Sequence, residues 1–411
     1  MTFIADFHIH SKYSRATSKE MDIPNLDKAA QIKGLDILGT GDFTHPLWFS
    51  HLKDNLSETA PGIFKYGRTF FILTCEVSNI FYRKGKLRKI HNIIFARSFN
   101  IAEKIRDELE KYGDLFSDGR PTLRLDAKDL VKILLEIDEE IIVIPAHVWT
   151  PWFSLFGSNS GFDSVEECFG EFTDYIYALE TGLSSDPAMN WQVSSLDRFV
   201  LVSNSDAHSL GNIGREANVF SGPFDYHKLR EILIKKRKDM FLYTIEFFPQ
   251  EGKYHWDGHR KCNISLSPEE AIRNNNICPK CGELLTLGVM HRVRTLADRE
   301  EGFVPPQSIP FKRAVPLKEI IAEALGKRAT PKSVEELYAK VVKDFGGEIK
   351  VLLDTPLEEM SKAFPPKLVE GIKRVREGRV KIKCGYDGVY GKVSIFGDNL
   401  SEAESGQLSL F

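Results

Sequence analysis

Short apolar runs recur down the first 250 positions, at 3–10, 35–40, 70–76, 90–96, 141–147, 175–180, 199–206 and 241–247. Most are continuously apolar rather than alternating, the pattern of strands buried on both faces. Between them, positions 25–33, 100–112 and 127–136 repeat Leu, Ile and Val at spacings of three and four, which predicts helices with one buried face. Strands alternating with helices at this spacing predict a parallel α/β architecture, and seven or eight such units predict a barrel.

From position 248 the texture changes. A short His/Cys-rich stretch, 248–301, is too small to build a large core and is of a kind commonly held by metal. Val304-Pro305-Pro306 and Pro310 mark a linker. Helical spacing returns at 314–324, 333–344, 357–363 and 366–377, the second opening with a Ser333/Glu336 capping box. Positions 380–396 read as a hairpin turning at Asp387-Gly388. The predicted division is therefore an α/β core (1–247), a zinc-binding module (248–301), a mostly helical C-terminal domain (302–397) and a flexible polar tail (398–411).

Charge narrows the picture a little. The 411 residues carry 55 Lys and Arg against 58 Asp and Glu, a net −3, which excludes a polycation but not a basic face. No apolar run approaches the ~20 residues of a membrane helix. The start, MTFIADFHIH, lacks the basic n-region of a signal peptide. A monomeric, cytoplasmic, nucleoid-associated protein with no membrane contact is expected.

The informative feature is where acids and histidines fall. Predicted strands end in His8-Ile9-His10, Thr40-Gly41-Asp42, Cys75-Glu76, Ala146-His147 and Asp206-Ala207-His208, and another carries His91. In parallel α/β folds such ends converge on one rim. Carboxylates crowded there would repel one another, and divalent ions about 3.5–4 Å apart, bridged by a carboxylate, resolve that. The pattern predicts a multinuclear metal centre. Cys75 alternates away from it, toward core.

These motifs (HIH at 8–10, Asp42 in TGDF, Glu76, His91, His147 and DAH at 206–208) resemble the PHP (polymerase and histidinol phosphatase) family of trinuclear metal phosphoesterases. The wider order, with an HxxC…CxxC module, a helical tail and ETGLSSDP at 180–187, is similar to the endonuclease Q family, whose DNA-repair members incise 5′ of deaminated bases and abasic sites. The resemblance implies a PHP-type distorted (β/α)7 barrel and catalysis by His8, His10, Glu76, His91, His147, Asp206 and His208. It implies one ion held by His8, His10, Glu76 and Asp206, a second by Glu76, His91 and His147, and a third by Asp42 and His208. The chain departs from the family at Gly41-Asp42-Phe43, where many members have Thr-Asp-His, and it has no His or Asp between His10 and Glu20. That leaves the third site either thinner, completed by His45 or water, or weakly occupied. Zn²⁺ fits the donor set, with Mn²⁺ or Mg²⁺ as alternatives. The implied reaction is phosphodiester hydrolysis by metal-activated water, without a Ser or Cys nucleophile.

His259-x-x-Cys262 and Cys278-Pro279-Lys280-Cys281 offer the four N/S ligands of a closed, structural zinc site, with His255 and His291 competing for the place of His259. Arg83, Lys84, Lys86, Arg88 and Lys89 form an acid-free run leading into His91 and are expected to meet a phosphate backbone. The run 235–238 reads as a solvated face. Trp149 and Trp152 sit on a glycine-bearing loop beside His147, either as a stacking surface for a base or as core over the barrel mouth. Tyr386 and Tyr390 in the C-terminal hairpin are further candidates to meet such a base. Gln407-Leu408-Ser409-Leu410-Phe411 resembles the pentapeptide by which bacterial replication and repair proteins dock on the DNA sliding clamp. Damaged DNA and that clamp are the expected partners. Two other functions compete: a small-molecule phosphomonoesterase of the histidinol-phosphatase type, which leaves the zinc module and basic runs without work, and a non-enzymatic DNA-binding protein, which the nearly complete ligand set argues against.

Overall fold

The computed structural model describes residues 2–326 and 329–397. Seven strands form a distorted ring: Thr2–Asp6, Ile37–Gly39, Thr69–Arg83, Lys86–Ala96, Ile142–Pro145, Ala178–Glu180 and Val200–Val202. The first three pair in parallel. Lys86–Ala96 then runs antiparallel to both of its neighbours. Ala178–Glu180 and Val200–Val202 pair in parallel beside Ile142–Pro145, tied by a bridge between Val143 and Ile176. The ring closes through a parallel backbone bridge between Ile9 and Ala207 and through side chains: the amide of Phe7 donates to Asn204 Oδ1 at 2.8 Å and that of Ser205 to Asp6 Oδ1 at 3.0 Å. Inside it, Ala5, Phe7, Ile37, Ile72, Phe95, Ile144, Ala178 and Val202 pack as one apolar plug. The sheet is thus mixed where an all-parallel one was expected. The cause is local: residues 77–89 do not cross back through a helix but extend both flanking strands into one long hairpin turned at Lys84-Gly85.

Helices Ile23–Lys33, Phe99–Leu109 and Ala127–Ile137 cover the outside, each opened by an acid or serine cap (Asp22, Ser98, Asp126) that accepts an amide of the first turn. The sheet extends past the ring through Ala217–Ser221, Phe241–Glu246 and Phe311–Arg313. The last of these lies beyond the linker, so the chain returns to the α/β core after the His/Cys module.

The C-terminal helices are Leu317–Leu325, Pro331–Phe345, Glu348–Leu353, Leu357–Ser361 and Pro366–Arg376. The capping box of the second is Thr330 with Ser333, one turn earlier than the expected Ser333/Glu336 pair, because Pro331 suits the first helical position. The expected hairpin forms between Lys381–Lys383 and Lys392–Ser394, with Asp387 (φ 42°) and Gly388 (φ 84°) at its turn. No described helix is long and apolar enough to cross a membrane.

Candidate metal centre and nucleic-acid face

The strand ends meet as the pattern required. Ligand atoms of His8, His10, Glu76 and Asp206 lie within 4.8 Å of one another, and so do those of Glu76, His91 and His147. Glu76 belongs to both groups and divides its oxygens between them. Its Oε2 lies 3.4 Å from His8 Nε2 and 3.2 Å from His10 Nε2, while its Oε1 lies 2.7 Å from His91 Nδ1 and 3.1 Å from His147 Nε2. Asp206 Oδ1 completes the first group, 3.1 Å from His10 Nε2.

Three of the residues that shape this rim, Asp42 (φ 49°), His147 (φ 31°) and Asp206 (φ 47°), hold a left-handed backbone that non-glycine residues avoid, and such strain gathers where function requires it. Gly182 makes room for one of them, since a Cβ there would sit 2.5 Å from that of His147.

Two carboxylates orient the first histidine pair from behind. Glu180, fully buried, receives His8 Nδ1 at 3.0 Å, the His147 amide at 2.7 Å and the Asn204 side-chain amide at 2.9 Å. Asp42 faces His10 Nδ1 at 3.0 Å and also accepts the Ser11 amide and the hydroxyls of Ser11 and Ser14, at 2.6, 2.7 and 2.9 Å. With its oxygens so engaged, Asp42 joins none of the donor groups among the described residues, and neither does His208, whose Nδ1 lies 2.9 Å from the Asp206 carbonyl. His45 does not complete a third set either: it stacks on Tyr13, and its Nε2 lies 3.0 Å from the carbonyl of Phe116. Asp42 and His208 thus supply no group of three protein donors among the described residues, and Asp42 is placed to orient His10 as Glu180 orients His8.

The electrostatics suit cations. Burial opposes ionisation of Glu76, but His91, Arg120 and His8 around it outweigh that and hold its carboxyl well below the usual range. Burial likewise opposes ionisation of Asp206, and the imidazoles of His8 and His10 pull it strongly down. Burial pushes His91 down to about 4, leaving the neutral ring a metal requires. His8 Nε2 is buried without a hydrogen-bond partner. Burial opposes protonation of His8, His10 and His147, but the carboxylates facing them raise all three, so a divalent ion would take the place of protons on these rings. Sequence reasoning missed Arg120, whose Nη1 lies 3.1 Å from Glu76 Oε2. It sits among loop residues with no pattern of their own, delivered by Gly119, where a Cβ would collide with Asp42 Oδ2 at 2.3 Å.

In the second module His259, Cys262, Cys278 and Cys281 converge within 4.8 Å, with Cys281 Sγ 3.3 Å from His259 Nδ1. His291 is instead bound to Asp257 at 2.6 Å, and His255 lies buried elsewhere, so neither takes the fourth place. Burial raises the Cys278 thiol, yet the amides of Lys280 and Cys281 bring it down to about 6, which favours the thiolate a metal binds.

The basic and aromatic residues divide. Arg83 is spent internally on Asp126 and on the carbonyls of Glu167 and Cys168 at 2.6 Å. Arg88 binds the Gly161 carbonyl and lies 4.2 Å over the Phe162 ring. Trp149 is core, buried and donating to Asn190 Oδ1 at 2.8 Å. These three are corrected from DNA contacts to structural residues. Lys84, Lys86 and Trp152 are exposed, and Lys89 lies over Phe153. Tyr386 is buried against Asn263, and Asp387 accepts the Arg260 amide, so the C-terminal hairpin is plugged into the His/Cys module. Tyr390 alone of its aromatics stays outside, 70% exposed. The pentapeptide at 407–411 lies outside the described residues.

An α/β ring that gathers two His/carboxylate groups around one shared glutamate, followed by a Cys₃His module, has the donor set of a metal-dependent phosphoesterase. Across its length the structure is similar to the lesion-specific endonuclease PfuEndoQ from Pyrococcus furiosus, with a TM-score of 0.86, 32% identity, and 96% of this chain and 95% of that one covered. It is also similar to an endonuclease Q in complex with a 27-mer duplex carrying an abasic lesion at the active site (TM-score 0.84, 31% identity, 98% and 100% covered). The chain belongs to the endonuclease Q family. Residues 316–379 match the family described as MJ0043 C-terminal domain. The uncharacterized protein YqxK of Bacillus subtilis is 29% identical over 412 residues, covering 95% of this chain and 98% of that protein. The uncharacterized protein MJ0043 of Methanocaldococcus jannaschii is 35% identical over 253 residues, 60% of this chain, and this match spans 31% of that longer protein.

Proposed function

We propose that this chain is a lesion-specific DNA endonuclease that hydrolyses the phosphodiester 5′ of abasic sites and of the deaminated bases uracil, hypoxanthine and xanthine. The observation that carries the reading is the likeness, over nearly the whole of both chains, to an endonuclease Q holding an abasic duplex. His8, His10, Glu76 and Asp206 would hold one divalent cation and Glu76, His91 and His147 another. Such cations, Zn²⁺ or alternatively Mn²⁺ or Mg²⁺, supply Lewis acidity, bringing the pKa of water toward ~7 and neutralising phosphate oxygens. The protein's own part is positional. Glu180 and Asp42 fix the rings of His8 and His10, Arg120 places a guanidinium at the mouth for a phosphate oxygen, and His208 borders the same opening. A Zn²⁺ in the Cys₃His site would be structural, since four protein ligands leave no open position.

The reading extends to partners. Trp152, exposed and edge-on to Tyr254 at 5.2 Å, offers a stacking surface beside the centre for a base leaving the duplex. Gln407, Leu408, Leu410 and Phe411 would recruit a sliding clamp in a cytoplasmic, nucleoid-associated setting, and deleting 407–411 should eliminate clamp binding while leaving cleavage of a free duplex intact. The decisive experiment assays nicking of duplexes containing uracil, hypoxanthine or an abasic site, against hydrolysis of a generic phosphomonoester. Lesion-dependent nicking abolished by Glu76→Gln is expected. Phosphomonoester hydrolysis without nicking would move the protein to the small-molecule phosphatases, and binding without either activity to the non-enzymatic class.

A further inference from the structure

The hairpin Thr69–Arg83/Lys86–Ala96 carries Glu76 and His91 near its middle and then continues past the centre to the two-residue turn Lys84-Gly85 (φ 51° and 74°). Its register pairs Ser78 with His91, Ile80 with Lys89 and Tyr82 with Leu87. Side chains alternate across a strand, so the face bearing Glu76 and His91 runs outward through Lys89 to the directly opposed pair Tyr82 and Leu87. The other face is committed. Phe81 is core, Arg83 is clamped to Asp126 and two carbonyls, and Arg88 lies on Phe162. The arm is therefore braced from behind, with its free face continuous with the metal rim.

That free face ends in an unusual surface. Tyr82 is 75% and Leu87 38% exposed, an apolar cross-strand pair standing in solvent. The exposed Lys84 lies in the turn beyond it, and the exposed Lys86 lies at the tip on the opposite face, paired with Arg83. Residues 81–91 contain five Lys and Arg and no acid, which fits a polyanion and repels none of it. Four residue steps run from Leu87 to His91, about 14 Å of strand, the rise of about four base pairs of duplex.

We propose that this arm is a second DNA contact, reaching duplex about four to five base pairs from the scissile phosphate, with Lys84 and Lys86 on the backbone and the Tyr82–Leu87 pair against a groove. The inference rests on the endonuclease reading for its position relative to the cut, but the arm's DNA contact is read separately from cleavage.

Abasic duplexes with flanks shortened stepwise on either side test it, with affinity measured by fluorescence anisotropy and nicking followed in parallel. The wild-type enzyme should lose roughly tenfold in affinity when one flank, and not the other, falls below about four base pairs. Tyr82→Ser/Leu87→Ser and Lys84→Gln/Lys86→Gln should show that loss already on the long duplex and lose nothing more on shortening. The lysine variant should also flatten the salt dependence by about one to two phosphates. All four side chains are outside the core, so unchanged melting temperatures certify the fold. Wild-type cleavage combined with unaltered affinity and flank dependence in both variants would overturn the arm and leave the endonuclease reading standing. Lost affinity in the variants of an enzyme that never nicks would do the reverse.

Discussion

The Nδ1 of His8 lies 3.0 Å from Oε1 of Glu180, a fully buried carboxylate that also receives the backbone amide of His147. One side chain thereby fixes a ring in the first donor group and the backbone of a residue in the second. With Nδ1 engaged, His8 must turn Nε2 toward Glu76 and Asp206, so the carboxylate selects both tautomer and ring orientation. Glu180→Gln keeps the shape but gives one of those donors an amide to face. Metal affinity should fall about 10–100-fold, with nicking restored by excess metal. A metal titration by calorimetry that matches wild type would refute the role.

How legible this centre was depends on what each residue must be told apart from. His8, His10, Glu76, His91, His147 and Asp206 announce themselves because each closes or interrupts an otherwise apolar strand. Asp42 has the same chemistry and the same position, and only the structure shows the His10 ring and the hydroxyls of Ser11 and Ser14 that its oxygens meet. Arg83 looked like a phosphate contact because its partner, Asp126, lies 43 residues away and nothing local links the two. Trp149 and Trp152 share a loop, yet the partner Asn190 makes one core while the other stays exposed. Local pattern carried the main ring strands, the helices at 23–33, 99–109 and 127–137 and the convergence of His259, Cys262, Cys278 and Cys281, but not helices such as Pro46–Asn55 and Tyr226–Lys235. What it lacked was long-range pairing, which alone separates a structural arginine from a functional one.

Replacement of Cys281 by Ser removes one of four converging donors in a module whose own apolar cluster holds only Ala271, Cys278 and Leu285 as fully buried members. A core that small cannot hold itself together, and binding a structural ion is itself folding free energy, ~10 kcal/mol or more in small modules. Cys281→Ser should lose one zinc per chain by metal analysis and leave 248–301 open to proteolysis. Because the C-terminal hairpin docks there through Trp256 and Asp387, the cut should also release that hairpin's protection. Unchanged zinc content would rule the site out.

Lys33, at the end of helix Ile23–Lys33, reaches Glu348 of the C-terminal helices at 2.7 Å, both side chains nearly buried. Glu348 also accepts the Tyr338 hydroxyl at 2.6 Å and the Leu317 amide at 2.9 Å. Burial works against its ionisation, but Lys33 and these donors hold its pKa below the ordinary carboxylate value. Lys33→Met strands a buried carboxylate and should cost about 3–5 kcal/mol, read by denaturant unfolding. Lys33→Met/Glu348→Gln should recover much of that. A carboxyl lowered on folding stabilises above its unfolded pKa, so this contribution should fade as pH drops below ~4.5.

Glu246 has the opposite sign. It lies fully buried at the end of strand Phe241–Glu246, its oxygens accepting the hydroxyls of Thr244 at 2.5 Å and Thr181 at 3.1 Å. Burial, with Asp186 adding to it, pushes its carboxyl up to about 8 from an ordinary 4.5. Glu216, buried nearby with one oxygen lacking a partner, is raised by burial and by Glu246 itself. Glu246 therefore folds as a neutral acid. Between pH 4.5 and 8 the unfolded chain gives up this proton while the folded chain keeps it, so stability declines as pH rises through that window. Glu246→Gln supplies a neutral side chain of the same length at every pH. The variant should match wild type near pH 4.5, where both are uncharged, and exceed it progressively toward pH 8, by a few kcal/mol at most. Melting curves across that range read the effect directly. A difference that stays flat with pH would mean that Glu246 ionises alike in the folded and unfolded chains, and the neutral-acid assignment would fall.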